Sequence, residues 1–248
     1  MIVCVGLATR DTIYAVPRHP DPDDRVVATE RVVAGGGPAA TAAVAVARLG
    51  VDARFVGVVD GDLDGVDVVR IPGRMVQSTI LVGDGTRAIV TEEPEPFEAP
   101  PDALEGAEWV HVDHVGHGAL ARRHGLQLSV DGGNPIEGLD LDDVDLYAPT
   151  EASDDGRRAR LTVVTRGGGG CVAYAGGETI ELQAFPVDVV STLGAGDVFH
   201  GALLACLARR LELRDALEHA NACAALSCRA LDGRSAIPTW NELARTVA

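Results

Sequence analysis

Ser191-Thr192-Leu193-Gly194-Ala195-Gly196-Asp197-Val198-Phe199-His200-Gly201-Ala202-Leu203 is the most informative stretch of this 248-residue chain. Apolar residues spaced three and four apart over 198–211 predict a helix that begins within it. Three small residues at a helix start leave free backbone N–H groups beside the positive end of the helix, where an anion can bind. The carboxylate of Asp197 could then take a proton from a hydroxyl while the N–H groups hold a phosphoryl group. The alternative is an ordinary helix start, in which Asp197 only complements the dipole.

Outward from this stretch, short apolar runs alternate with helical segments, which predicts an α/β fold with a mostly parallel sheet. Gly35-Gly36-Gly37-Pro38 opens a predicted helix over 39–49, and Gly50 stops it. Another helix is predicted over 214–231. The predicted strands are 2–5, 26–33, 55–59, 109–112, 126–130, 144–147 and 161–164, with hairpins at 74–82 with 87–91 and at 171–174 with 179–182.

The composition excludes several functional classes. The chain has 46% hydrophobic residues, a net charge of −16 and no lysine, so nucleic acid and anionic membranes are unfavourable partners. The five cysteines include no C-x-x-C pair and are expected to be reduced core residues. The start, MIVCVG, is too short for a signal sequence, and no apolar run reaches the ~18 residues of a membrane helix, so a cytoplasmic protein is expected.

Two motifs resemble those of the ribokinase or PfkB family of carbohydrate kinases. Residues 191–199 match the family signature D-T-x-G-A-G-D-x-F at every defined position except the first, which is Ser191. Residues 36–50 followed by 60–62 are similar to the family's first signature. The resemblance implies a ribokinase-like three-layer α/β/α sandwich with a small β lid. It also implies a single domain over 1–248, with lid strands from about 12–34 and 74–92.

The resemblance also implies a function, an ATP-dependent sugar kinase. By position, Asp197 would be the general base and Gly194, Ala195 and Gly196 the anion hole. The sugar would be held by Asp11, Gly36, Gly37, Thr41 and Arg87, and the nucleotide by Thr165, Gly167, Gly170 and Asn221. Asp11 could instead cap a turn, Thr41, where the family usually has Asn, could simply pack in its helix, and Arg87 could be a solvated surface residue. The cofactors would be ATP and Mg²⁺, with no metal ligand assigned.

The chain departs from the family in four places. Ser191 replaces an Asp in the loop that helps hold a monovalent cation, so a potassium requirement is in doubt. The magnesium-associated N-x-x-E stretch falls at Thr150–Ser153 without either residue, although Glu151 or Asp154 could substitute. Two peripheral helices are expected to be missing, at 65–74 and 151–161, and a sheet face left bare there would be covered by altered loops or by a second subunit in a homodimer.

Three questions of function stay open on the sequence. Residues 35–43, 196–203 and 233–238 look most similar to the sulfofructose kinase branch, but no basic residue for a sulfonate is evident around 91–94 or 113–117, where His114 and His117 are the candidates. A nucleoside kinase is the nearest alternative, although few aromatic residues are present to stack on a base. A catalytically weak nucleotide- or sugar-binding sensor is the alternative from a different class.

Overall fold

The computed structural model describes residues 1–120 and 125–247. Its strands, in chain order, are β1 (Ile2–Val5), β2 (Thr9–Ala15), β3 (Glu30–Gly36), β4 (Ala53–Gly57), β5 (Asp67–Arg70), β6 (Val76–Gly83), β7 (Thr86–Thr91), β8 (Trp109–Val112), β9 (Gln127–Gly132), β10 (Leu146–Pro149), β11 (Leu161–Thr165), β12 (Cys171–Ala175) and β13 (Glu178–Leu182). Its helices are α1 (Pro38–Arg48), α2 (Gly116–Ala119), α3 (Ala195–Ala208), α4 (Leu213–Ser227) and α5 (Trp240–Val247).

The larger sheet has the order β13-β12-β11-β10-β9-β8-β1-β4-β5. Its strands from β11 to β5 are all parallel, whereas β12 and β13 pair antiparallel at one edge. Every residue of β1, β8 and β10 is buried, because helices or loops cover both faces of the sheet. The carboxyl ends of the parallel strands therefore lie along one edge, which is where such sheets bind ligands.

Helices cover one face of this sheet and mostly loops cover the other. α1, α3 and α4 pack together on the first face, and Gly201 lets α3 approach α1 so closely that a Cβ there would lie 2.3 Å from the carbonyl oxygen of Ala42. On the second face, residues such as Ala103, Leu139 and Leu141 pack against the sheet from outside any helix. As predicted, neither 65–74 nor 151–161 contains a helix. Loops contribute to covering this face, which is one of the two outcomes expected from the sequence.

A second sheet, in the order β3-β2-β6-β7, stands beside the first. Ile13 and Ile80 on its inner face are fully or almost fully buried and pack with Leu231 and Leu193, which brings this sheet onto the loop before α3. All of β7 is exposed. We call β3-β2-β6-β7 the small sheet.

Several predicted boundaries were wrong. β3 begins at residue 30 rather than 26, α3 spans 195–208 rather than 198–211, and α4 ends at 227 rather than 231. The sequence pattern missed four elements, β2, β5, α2 and α5. Charged residues interrupt the apolar pattern of β2, β5 and α5, whose stability comes from pairing or packing with distant segments, and α2 has only four residues. All five cysteines are buried and free, as predicted. Within the described residues, no helix is long and apolar enough to cross a membrane.

Candidate active site

The start of α3 offers unpaired backbone donors. Gly194 precedes the helix in a left-handed conformation (φ 71°), and no side chain caps it. The amides of Gly196 and Asp197 donate to no acceptor among the described residues. In contrast, the Ala39 and Ala40 amides of α1 donate to a carboxylate oxygen of Asp113 and to the carbonyl of Leu7. The first turn of α3 is therefore open to an anion, whereas that of α1 is not.

Asp197 lies at this turn in an environment that opposes ionisation. Burial raises the pKa of its carboxyl group to about 7, and the negative charge of Asp131 acts in the same direction. Asp113 raises it further, while His200 and Arg234 lower it. A carboxylate with a pKa close to neutral is well matched to proton transfer, because it both accepts and releases a proton at physiological pH.

His200, one turn further along α3, forms a buried ion pair. Its Nδ1 lies 3.6 Å from an Oδ of Asp131, slightly longer than a hydrogen bond, and both side chains are about 5% exposed. The negative charges of Asp131 and Asp197 raise the pKa of His200 despite its burial. The neighbouring ring of His111, 5.7 Å away between centroids, has its pKa lowered to about 3 by burial. The two neighbouring rings thus have pKa values shifted in opposite directions, upward for His200 and downward for His111.

Among the predicted sugar-binding residues, Asp11 on β2 lies against Gly36 on β3. Thr9 donates a hydrogen bond to Asp11 through its hydroxyl at 2.7 Å, and burial raises the pKa of the Asp11 carboxyl group. A Cβ on Gly36 would lie 2.0 Å from the other Asp11 oxygen. Gly37 has φ 90°, and a side chain there would meet the carbonyl of Leu7 at 2.4 Å. A side chain at either position would therefore clash with a neighbouring oxygen atom, so the structure requires glycine at both.

Arg234 lies between the predicted sugar-binding residues Gly36 and Thr41 and the start of α3. The sequence offered no reason to assign it a role. Its Nε donates to the hydroxyl of Thr41 at 3.0 Å, and its Nη2 donates to the carbonyl of Gly36. Its positive charge lowers the pKa values of both Asp11 and Asp197. Gly36 and Thr41 thus hold a guanidinium group that also acts electrostatically on Asp11 and Asp197. The only feature of the sequence that could have drawn attention to Arg234 is its position next to Gly233. In the structure, Gly233 packs against Gly194.

Arg87 and Ser191 lie at the loop before α3. Nη1 of Arg87, on β7 of the small sheet, donates to the hydroxyl of Thr192 at 2.8 Å. Ser191 is buried, and its hydroxyl accepts a hydrogen bond from the Leu193 amide. Arg87 therefore connects the small sheet to the predicted anion hole, and Ser191 supports the same loop without a charge.

The predicted nucleotide residues lie elsewhere along the carboxyl edge of the large sheet. Thr165 ends β11, and Gly167 begins a short 3₁₀ turn. Gly170 (φ 84°) passes so close to β13 that a Cβ would lie 2.0 Å from the carbonyl oxygen of Leu182. Asn221 on α4 donates to the carbonyl of Gln183 at 3.4 Å and borders a cavity of about 310 Å³.

In the Thr150–Ser153 stretch, the two hydroxyl side chains hydrogen-bond to each other. The two hydroxyls lie 2.9 Å apart, and Ser153 also donates to the carbonyl of Gly132. Of the two proposed substitutes, Glu151 lies 3.7 Å from Arg166 and Asp154 pairs with Arg158 at 2.7 Å. Within residues 1–120 and 125–247, no three His, Cys, Asp or Glu side chains are grouped to hold a metal ion.

Comparison with known proteins decides the family. The model of the pfkB family carbohydrate kinases matches residues 1–70 and 147–240, about two thirds of the chain. The chain belongs to this family. It is 26% identical to an ATP-dependent ribose-1-phosphate kinase of Halopiger xanaduensis, over 98% of this chain and 96% of the relative. It is 25% identical to the ribokinase of Bacillus subtilis, over 98% and 97%.

The ribokinase-like fold is shown as well. The structure of Arabidopsis thaliana ribokinase complexed with ribose and ATP superposes with a TM-score of 0.78 at 20% identity, covering 99% of this chain and 98% of that one. This pfkB family member is therefore an ATP-dependent kinase for a sugar or a nucleoside. The comparisons do not single out the sulfofructose kinase branch, which stays a prediction.

Replacing Gly36 with Ala is expected to impair sugar binding. The added Cβ would displace the Asp11 carboxylate, so kcat/KM for the sugar should fall by about 10-fold or more, mainly through KM. Gly118→Ala in α2 is the control, because a Cβ there meets nothing within 4 Å and the backbone is not in the left-handed region. An unchanged KM in Gly36→Ala would contradict the placement of Asp11 at the sugar.

Proposed function

We propose that this pfkB family kinase transfers the γ-phosphoryl group of ATP to a hydroxyl of a small sugar. Asp197 takes the hydroxyl proton as the oxygen attacks the γ-phosphorus, and the bond to the β,γ-bridging oxygen breaks to release ADP. The products are the phosphorylated sugar and ADP, with the proton on Asp197 released to solvent. The observation that carries this proposal is Asp197 beside unpaired amides, with burial placing its pKa at about 7.

The free amides of Gly196 and Asp197 fit a phosphoryl group. They point from the positive end of a 14-residue helix and add donors where negative charge develops during transfer. Gly194 contributes by turning the chain sharply into the helix. The Ala195 amide differs from the next two, because it already donates to the carbonyl of Thr192 at 3.3 Å.

The remaining predicted contacts are consistent with ATP. Asn221 and the cavity beside Gln183 would accept the base or ribose, and Thr165, Gly167 and Gly170 lie on the same edge of the sheet. Mg²⁺ bound to the phosphates would neutralise charge on the transferring group. Phosphate oxygens and water would supply most of its ligands, since Thr150 and Ser153 offer no carboxylate and bond to each other.

We propose that the small sheet acts as the lid over the sugar. The Arg87–Thr192 hydrogen bond would hold the closed position, because it links β7 to the loop before α3. Arg87→Ala should therefore raise KM for the sugar roughly 3- to 10-fold. Arg31→Ala is the matched control. Arg31 is exposed on β3, and its side chain has no hydrogen bond or ion pair among the described residues. Equal KM values for the two variants would argue against a lid contact.

Two alternatives have distinct signatures. A nucleoside kinase would phosphorylate nucleosides in preference to sugars, and a sensor would bind ATP or sugar without forming product. Assaying ATP consumption with sugars, sugar acids, sugar phosphates and nucleosides separates the three. Turnover on a sugar or its derivative supports the proposal, whereas turnover confined to nucleosides, or binding without turnover, overturns it.

A further inference from the structure

The side chain of Asp113 accepts four backbone hydrogen bonds at the carboxyl edge of the large sheet. Asp113 directly follows β8 and is fully buried. One carboxylate oxygen accepts from the amides of Val115 and Gly116, both at 2.9 Å. The other accepts from the amides of Leu7 at 2.8 Å and Ala39 at 3.2 Å. The first pair forms a local turn, whereas the second pair joins two segments that are distant from Asp113 in the chain.

The two distant segments are places where the chain passes between the sheets. Leu7 lies between β1 of the large sheet and β2 of the small sheet. Ala39 lies in the first turn of α1, which follows β3 of the small sheet. Asp113 therefore ties two connections of the small sheet to one point on the large sheet.

Both connections lead to predicted sugar-binding residues. Asp11 on β2 is four residues beyond Leu7, and Thr41 on α1 is two residues beyond Ala39. Gly36 comes three residues before Ala39. A strand or helix holds side chains more precisely than a loop does, so a fixed point this close in the chain sets where these residues lie.

The packing around the crossing leaves the carboxylate little freedom. A Cβ added to Gly6 would overlap the Asp113 carboxylate, and one added to Gly37 would overlap the carbonyl oxygen of Leu7. The amide of Ala40 donates to that same carbonyl at 3.3 Å. The two connections therefore cross in direct contact, and Asp113 lies beside the crossing.

We propose that Asp113 is a positioning residue for the sugar site, which holds Asp11 on β2 and Thr41 on α1 in the arrangement that binds the sugar. This inference rests on the proposed function, because it takes these residues as sugar contacts. Asp113 acts through the backbone amides of Leu7 and Ala39 and needs no contact with the substrate. A displacement of about 1 Å in such groups costs on the order of 100-fold in rate, so the loss of the anchor has a measurable effect.

Asp113→Ser separates the local pair of hydrogen bonds from the distant pair. A serine hydroxyl can cap the local turn, but it is too short to reach Leu7 and Ala39. KM for the sugar should rise by about 10- to 100-fold, the range for a lost hydrogen bond to a charged group, and KM for ATP by no more than about threefold. Assay at pH 8 excludes a charge effect, because the pKa of Asp197 is about 7 and loss of the Asp113 charge only lowers it.

Asp145→Ser is the matched control. Asp145 also accepts a hydrogen bond from the amide of a neighbouring strand, that of Leu128 at 3.0 Å. It lies just before β10, at the amino end of the parallel strands and away from the site. Its KM values for sugar and ATP should stay close to those of the wild type. An unchanged sugar KM in Asp113→Ser, or an equal rise of both KM values, would overturn the inference.

Hydrogen–deuterium exchange tests the anchor without any substrate. In Asp113→Ser, peptides that cover 6–12 and 36–42 should exchange faster than in the wild type, whereas peptides that cover 161–170 should not change. Uniformly faster exchange, or no change in either segment, would contradict an anchoring role.

Asp113→Asn replaces Asp113→Ser in these experiments if the serine variant does not fold. Asn keeps the size of the side chain, but its single carbonyl oxygen can accept from only two of the four amides. The expected rise in sugar KM is then about 3- to 10-fold. An unchanged sugar KM in this variant would equally overturn the inference.

Isothermal titration with the sugars separates failure of this inference from failure of the proposed function. A sugar that the wild type binds much more tightly than Asp113→Ser does, without product from either protein, would support the positioning role and overturn the kinase proposal. Turnover with equal sugar KM values in wild type and variant would do the reverse. A wild type that neither binds nor phosphorylates any sugar or sugar derivative would overturn both.

Discussion

Asp197→Asn should lower kcat by about three orders of magnitude, within the range for loss of a general base. Asn is nearly the same size but cannot accept the hydroxyl proton, while the amides at the start of α3 stay in place. Binding of sugar and ATP should therefore change much less than kcat. A variant that keeps more than a tenth of the wild-type kcat would show that another group takes the proton.

The same substitution should stabilise the protein at alkaline pH. The folded-state pKa of Asp197, about 7, lies above the 3.8 of an unperturbed Asp side chain, so ionisation works against folding. This penalty is absent below about pH 4, grows as the pH rises to 7 and is then constant. At pH 8, Asp197→Asn should gain on the order of 1–4 kcal/mol in the free energy of unfolding. Chemical denaturation at pH 4 and pH 8 measures the difference, and a less stable variant at pH 8 would contradict it.

His200→Asn should shift the pH dependence of catalysis. In the wild type, kcat/KM should fall as the pH drops through about 7, because Asp197 becomes protonated. The groups facing Asp197 are Asp113, Asp131, His200 and Arg234, and His200 is one of the two that lower the pKa of Asp197. Its loss should move the acidic limb upward by about one pH unit, with activity recovering above pH 8.

His111→Asn is the control for this shift. His111 is also buried and lies against His200, but its pKa of about 3 makes it neutral throughout the assay range. Its replacement should leave the acidic limb in place. The His200–Asp131 pair should also add stability below pH 6.5 that is lost as the pH rises through the higher folded-state pKa of His200. Identical pH profiles for wild type and His200→Asn would contradict an electrostatic effect of His200 on the pKa of Asp197.

The sequence predicted the parts of this fold that short-range patterns determine. The apolar runs of β1, β8 and β11 and the Gly-Pro start of α1 lie where expected, because buried parallel strands and helix starts carry strong local signals. β2 was not predicted, since Arg10 and Asp11 interrupt its pattern, and its stability comes from pairing with β3 and β6, distant in sequence.

The candidate site was predictable only where it follows a motif. Asp197 and Gly194 belong to one contiguous signature, so their proximity at the start of α3 is local. Arg234 and Asp131 are brought to the site from more than thirty residues away in the chain, and neither has a pattern of its own. Their effects on Asp197 depend on how deeply they are buried and on which charged groups lie near them in the fold. Neither property can be read from a sequence.

The most direct test of the account is to incubate wild type and Asp197→Asn with Mg·ATP and each of the sugars, sugar acids, sugar phosphates and nucleosides. The products are then identified by mass spectrometry. The account predicts, with the wild type, a product that carries one phosphoryl group more than the sugar or sugar derivative supplied, and about a thousandfold slower formation with the variant. Product formed equally fast by both proteins, or ATP and sugar bound by the wild type without any product, would contradict it.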